Sequence, residues 1–129
     1  MKKEIAAPVL SAESRPYYEA AAAGKFLIKR CTACDRNFWY PRAICPFCMG
    51  SDTEWLEASG KGVVYTYSVT RRAKVPYVLA YVTLDEGPTM LTNLVNLDHD
   101  AIRIGQKVQV TFETAVNGAK VPMFEPLPE

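Results

Sequence analysis

The stretch CTACDRNFWYPRAICPFC, residues 31–48, holds all four cysteines of the chain in two CxxC pairs, separated by ten residues that include FWYPR. A CxxC turn lets both sulfurs of a pair, and the amides behind them, face one ion, and two such pairs suit a tetrahedral site with metal–sulfur arms of about 2.3 Å. In the second pair Pro46 fixes the turn and Gly50 lies just beyond it. Cys31, Cys34, Cys45 and Cys48 therefore read as the ligands of one metal ion. Zinc is expected, and iron on the same ligands is left open by spacing alone. Two disulfides are the rival use, disfavoured in a chain that shows no export signal. Four thiolates leave no open position for water or substrate, so the site is structural: it orders a ribbon of roughly 25 residues that has almost no core of its own.

Around this block the composition is that of an ordinary globular protein. The chain has 129 residues, 49% hydrophobic and 22% charged, enough for one medium domain or a domain with a small appendage. No apolar run approaches the ~18 residues of a membrane span, and the start MKKEIAAPVL is broken by Pro8, so neither a span nor a secretory signal is expected and the compartment reads as cytoplasmic. The net charge of +1 gives no footprint for a long polyanion. Residues 25–74 nevertheless carry nine basic against four acidic side chains, so a modest anion-binding face remains open.

Ahead of the cysteines, SRPYYEAAAAGKF reads as a short helix, with Ser14 as cap, Pro16 in the first turn and Gly24 as the stop. After them the apolar period changes to two. VVYTYSVT sets Val63, Tyr65, Tyr67 and Val69 on one face, and YVLAYVTL, the turn at residues 85–88 and TMLTNLV form a hairpin. VQVTFET places Val108, Val110 and Phe112 together, and Asn117-Gly118 turns into AKVPMF. About five strands between Thr53 and Phe124, with a brief helical turn capped by Asp98, suit a small OB-type barrel, with a sandwich as the alternative. The expected fold is mainly β: a short helix and a rubredoxin-like zinc ribbon in residues 1–52, then a five-stranded OB-fold barrel with an extended tail in residues 53–129.

A catalytic set does not assemble. With the thiols given to metal, the single histidine, His99, sits between Asp98 and Asp100 and reads as a solvated or capping residue. The sequence has no phosphate-cradling loop, GxGxxG or HExxH, and the glycines of GKG, residues 60–62, read as a strand-entry turn. Phe38, Trp39, Tyr40, Pro41 and Arg42 are too bulky all to be buried in a ribbon, so they form a joint with the barrel or line a groove beside it.

Taken in order, the helix ending in GKF, CTAC, YPR, CPFC, SGKGVVYTYSV, PYVLAYVTLDEGP, LTNLV and IRIGQKVQVTFE resemble the zinc-ribbon and OB-fold acyl-CoA-associated family, long classed as a domain of unknown function. The resemblance covers nearly the whole chain, departing at Cys34-Asp35 and Tyr40-Pro41-Arg42, where relatives often have CG and PPR. It implies a non-catalytic accessory subunit, with structural zinc, of a thiolase-like or ketoacyl-synthase-like partner that acts as an acyl-CoA acyltransferase or C–C lyase. Such a subunit would complete a coenzyme A site. Arg71, Arg72 and Lys74 suit the phosphates, Trp39 and Tyr40 with Arg42 suit stacking and pairing, and Tyr65, Tyr67, Tyr77 and Tyr81 are further platforms. The alternative is an OB-fold module for single-stranded nucleic acid, against which the charge balance counts.

Overall fold

In the computed structural model, which describes residues 4–128, one helix and eight strands build a three-stranded sheet and a closed five-stranded barrel. The helix α1, Arg15–Ala22, turns Tyr17 and Ala21 into the interior and ends at Gly24, whose φ of 81° is a left-handed stop. Ser14 stands at its N-cap but makes no side-chain cap bond, because its own backbone is already helical. Its hydroxyl instead accepts the Ser11 amide at 3.0 Å and ties down the approach to the helix.

The ribbon consists of β1 (Leu27–Cys31), β2 (Arg36–Phe38) and β3 (Thr53–Glu57) in the order β2-β1-β3, all antiparallel. The sequence reading assigned residues 53–57 to the barrel segment. In the structure all five pair with β1, from Leu27 opposite Glu57 to Cys31 opposite Thr53. The three residues of β2 cannot cover β1 alone, and β3 supplies the second edge. Lys29 is held there with its amine 4.4 Å from the centre of the Trp55 ring, and burial lowers its pKa.

The barrel strands are β4 (Lys61–Thr70), β5 (Tyr77–Leu84), β6 (Thr89–Leu94), β7 (Lys107–Thr114) and β8 (Lys120–Pro126), closed in the order β4-β5-β6-β8-β7. Pairing of Lys61, Gly62 and Val63 with Gln109, Val108 and Lys107 seals the barrel, which makes it the OB type rather than a sandwich. Val64, Val78, Ala80, Val82, Leu84, Met90, Leu94, Val108 and Phe124 fill it. Burying each large apolar side chain contributes about 1.5–3 kcal/mol, against the entropy of ordering it. The proline-bearing tail is more than extended. As β8 it runs antiparallel to β7 and meets β6 in parallel at Leu94 and Phe124 alone. Packing also chose the inner face of β4: Gly62 and Val64 point in, whereas Val63, Tyr65 and Tyr67 stay exposed. Alternation from the inward Val64 puts Tyr65 outside, and a bulge between Val64 and Thr66 leaves it as an extra residue, so that Thr66 also faces outward, opposite Tyr81.

Candidate metal centre and ligand cleft

Two knuckles bring the sulfurs together. β1 ends at Cys31, and the following turn returns through Asp35, whose amide donates to the Cys31 carbonyl at 2.9 Å with φ at 60°. In the second knuckle the Met49 amide donates to the Cys45 carbonyl and the Cys45 amide to the Gly50 carbonyl, both at 2.9 Å. The left-handed residue is Met49, φ 65°, not the glycine that follows it. All four sulfurs lie within 4.8 Å of one another, with Cys31 to Cys48 at 3.6 Å and Cys34 to Cys45 at 3.7 Å. A tetrahedron with 2.3 Å arms has edges of about 3.8 Å, which these two distances match, so the set suits a tetrahedral metal.

The local field favours a thiolate at Cys45 and opposes one at Cys34 and Cys48, whose pKa values are raised. Burial alone raises the Cys45 pKa, but the Cys48 and Phe47 amides aimed at its sulfur outweigh this and bring it to about 7. Burial and the surrounding sulfurs push Cys34 up to about 12, since a second negative charge among crowded sulfurs is disfavoured. Amide donors on the sulfurs and the buried Phe38 beside Cys31 and Cys45 complete a closed site.

The FWYPR segment splits into separate roles. Phe38 and Pro41 are buried, and Arg42 is exposed on the ribbon. Trp39 turns toward the barrel, its ring 6.1 Å from Tyr17 and 5.0 Å from Tyr40. There it walls a cleft of about 180 Å³ with Tyr18, Leu91 and Asn93, and its buried indole N–H makes no close hydrogen bond among the described residues, acting only as a weaker donor toward the Tyr17 phenol. Burial holds the neighbouring Tyr17 phenol far above its ordinary range, with Tyr18 adding to the effect.

A second cleft, of about 890 Å³, opens at the end of the barrel and shares Asn93, Val121 and Met123 with the first. Its wall includes Val75, Pro76 and Tyr77, which follow directly on the basic turn between β4 and β5. Arg71 pairs with Asp100 at 2.9 Å, whereas Arg72 and Lys74 are exposed and have no ion-pair partner among the described residues. The two clefts adjoin as one groove along the three wall residues they share, with Arg71, Arg72 and Lys74 preceding the wall of the larger in the chain and Trp39 walling the smaller. Tyr40 and Arg42 lie outside both linings. His99 lines the large cleft with Asn96, Phe112 and Glu113, which sequence reasoning did not single out. The only signal for such residues was the strand-end position of Asn93 and Asn96, which alternation alone cannot separate from surface.

A four-cysteine ribbon seated on an OB barrel defines a two-part class of protein. Family models described as the ChsH2 rubredoxin-like zinc ribbon domain and the ChsH2 C-terminal OB-fold domain match residues 19–54 and 55–113. A DUF35 domain-containing scaffold protein from Methanothermobacter thermautotrophicus is 37% identical over 90 residues, covering 64% of this chain and 68% of that protein. The chain belongs to this DUF35 family of zinc-ribbon and OB-fold proteins. A probable enoyl-CoA hydratase alpha subunit from Thermomonospora curvata is 35% identical over 92% of the chain, and the chain spans 39% of that relative's length. Among solved structures, the Ltp2-ChsH2(DUF35) aldolase superposes with a TM-score of 0.80 at 34% identity, covering 93% of this chain and 98% of the matched one. Among the described residues no helix is long and apolar enough to cross a membrane.

Proposed function

We propose that this protein is a non-catalytic accessory subunit that binds coenzyme A or an acyl-CoA for a thiolase-like catalytic chain in the cytoplasm, with structural zinc holding the ribbon. The observation that carries the reading is the groove itself. Its wall at residues 75–77 continues the basic turn, and the adjoining small cleft is walled by the flat Trp39 ring. Coenzyme A needs cations for its phosphates, a narrow lane for pantetheine and a flat apolar surface. Arg71, Arg72 and Lys74, the cleft, and Trp39 offer these in order, with Tyr40 and Arg42 as outlying candidates on the ribbon. The scaffold names of the archaeal relatives and the aldolase assembly of the structural relative support a role inside an enzyme complex. In that complex this chain binds and orients, and the partner supplies the reacting groups.

The test is calorimetric titration of coenzyme A into the zinc-loaded protein and into a variant with Arg71→Ala and Arg72→Ala. Loss of more than about 1 kcal/mol of binding supports the phosphate role, on the scale of hydrogen bonds to charged groups. Equal affinity would return the turn to plain surface. A second reading, a single-stranded nucleic-acid module, draws on the exposed Tyr65 and Tyr81 of the barrel. It predicts binding that falls steeply with salt, and the net charge of +1 counts against it.

A further inference from the structure

We propose that the outer face of strands β4, β5 and β6 is the surface on which the catalytic chain docks, an inference that rests on the accessory-subunit reading. Outward positions of an antiparallel sheet are ordinarily polar. Here Tyr81, in the middle of β5, is 46% exposed and stands opposite Leu91 of β6, 48% exposed. On its other side, the bulge in β4 adds Tyr65, 65% exposed, and Leu79 and Val63 extend the patch along the strands. The result is a row of exposed apolar side chains on a rigid ladder. Tyrosine adds large contact area at small entropic cost, and such anchors dominate protein interfaces.

The position of the face identifies its occupant. Leu91 belongs both to this face and to the wall of the small cleft with Tyr18 and Trp39, and that cleft adjoins the large one, sharing Asn93, Val121 and Met123 with it. A chain seated on the face therefore closes the open side of the groove and reaches whatever the groove holds, as the chain that performs the chemistry must. The ribbon knuckle also exposes Phe47 and Met49, but neither residue lines a cleft. Charge restricts the partner further. Arg72 and Lys74 at one end have no ion-pair partner among the described residues, and Asp85 at the other end lies across the ladder from Lys61. The matching surface is accordingly apolar at its centre, with acceptors for the Tyr65 and Tyr81 hydroxyls and carboxylates near the basic turn.

The experiment is affinity capture of the tagged full chain from its own cell lysate, mass-spectrometric identification of a thiolase-fold chain, and titration of that purified chain against variants. Tyr65→Glu and Tyr81→Glu are each expected to weaken the complex at least tenfold. Zinc content should stay as in the parent, and Val116→Ser, on the β7–β8 turn, should change nothing. Retention of the partner within threefold by both glutamate variants would overturn the docking face and leave the accessory reading standing. If the parent protein captures no thiolase-fold chain, the accessory reading fails and the docking face fails with it. Loss of self-association in the glutamate variants, with no thiolase-fold partner, would assign the face to a second copy and overturn the proposal.

Discussion

Gly62→Ala tests the barrel closure directly, because Gly62 sits where β4 is bonded to both β5 and β7, opposite Leu84 and Val108. A Cβ at this position would lie 2.5 Å from the Thr83 carbonyl oxygen and 2.8 Å from Val82 Cγ1. The valine methyl can turn aside, but the carbonyl belongs to the ladder and cannot. Restoring ordinary contact at 3.4 Å requires β4 and β5 to part by about 0.9 Å, which weakens the neighbouring inter-strand hydrogen bonds. One or two such bonds at about 1 kcal/mol each, with overpacking of about 1–3 kcal/mol, oppose a gain of about 0.4–1 kcal/mol from stiffening the unfolded chain. The clash wins, and a net loss of about 2 kcal/mol is expected. Urea unfolding in zinc-containing buffer, followed by Trp39 and Trp55 fluorescence, should show the midpoint falling by about 1 M for a slope near 2 kcal/mol/M. An unchanged or higher midpoint would refute the close approach of β4 and β5 at this glycine.

Cys45→Ser should abolish stoichiometric zinc and lower the thermal midpoint, with exchange protection lost in the ribbon and kept in the barrel; unchanged metal content by emission spectroscopy would sink the ligand assignment. Tyr17 makes stability fall in alkali. Burial raises its folded-state pKa above the ordinary value of 10.0, so its contribution is fully present below about pH 10. Above that point it declines by about 1.4 kcal/mol per pH unit as the unfolded chain ionises. Tyr17→Phe should remove that slope between pH 10 and 11, and identical slopes by denaturant titration would contradict a buried phenol. Phe124→Ala should cost about 3–5 kcal/mol, since the ring is fully buried, stands 5.9 Å from Phe26 and lies where β6 meets β8; a loss under 1 kcal/mol by denaturant titration would show that the junction does not depend on it.

The metal ligands were legible because their chemistry is local. A CxxC turn and its amides are built from consecutive residues, and pairing two such turns needs only a flexible loop between them. The same holds for α1, for the five barrel strands and for the Asn117-Gly118 turn, each read from a period or a turn residue. What failed was decided between distant residues. Thr53–Glu57 has no signal that separates a barrel strand from a ribbon strand, since only the open edge of β1 recruits it. The Ser14 hydroxyl was drawn to Ser11 because the backbone there had already turned helical.

The groove shows the same division. The run RRAK named the cations and FWYPR named an aromatic cluster, but 31 residues lie between Trp39 and Arg71, and no period relates them. Closing the barrel set residues 75–77 against Asn93 and Met123, which joined the basic turn to the cleft and left Arg42 outside it. Curvature likewise chose which face of VVYTYSVT went inside, since both faces carry β-branched residues and only the crossing of β4 with β5 and β7 demands the small Gly62. The sequence by itself determined the metal site and the list of elements, which depend on contacts between near neighbours. The tertiary structure decided the inner face, the ribbon's third strand and the groove, which depend on how the strands curve and close.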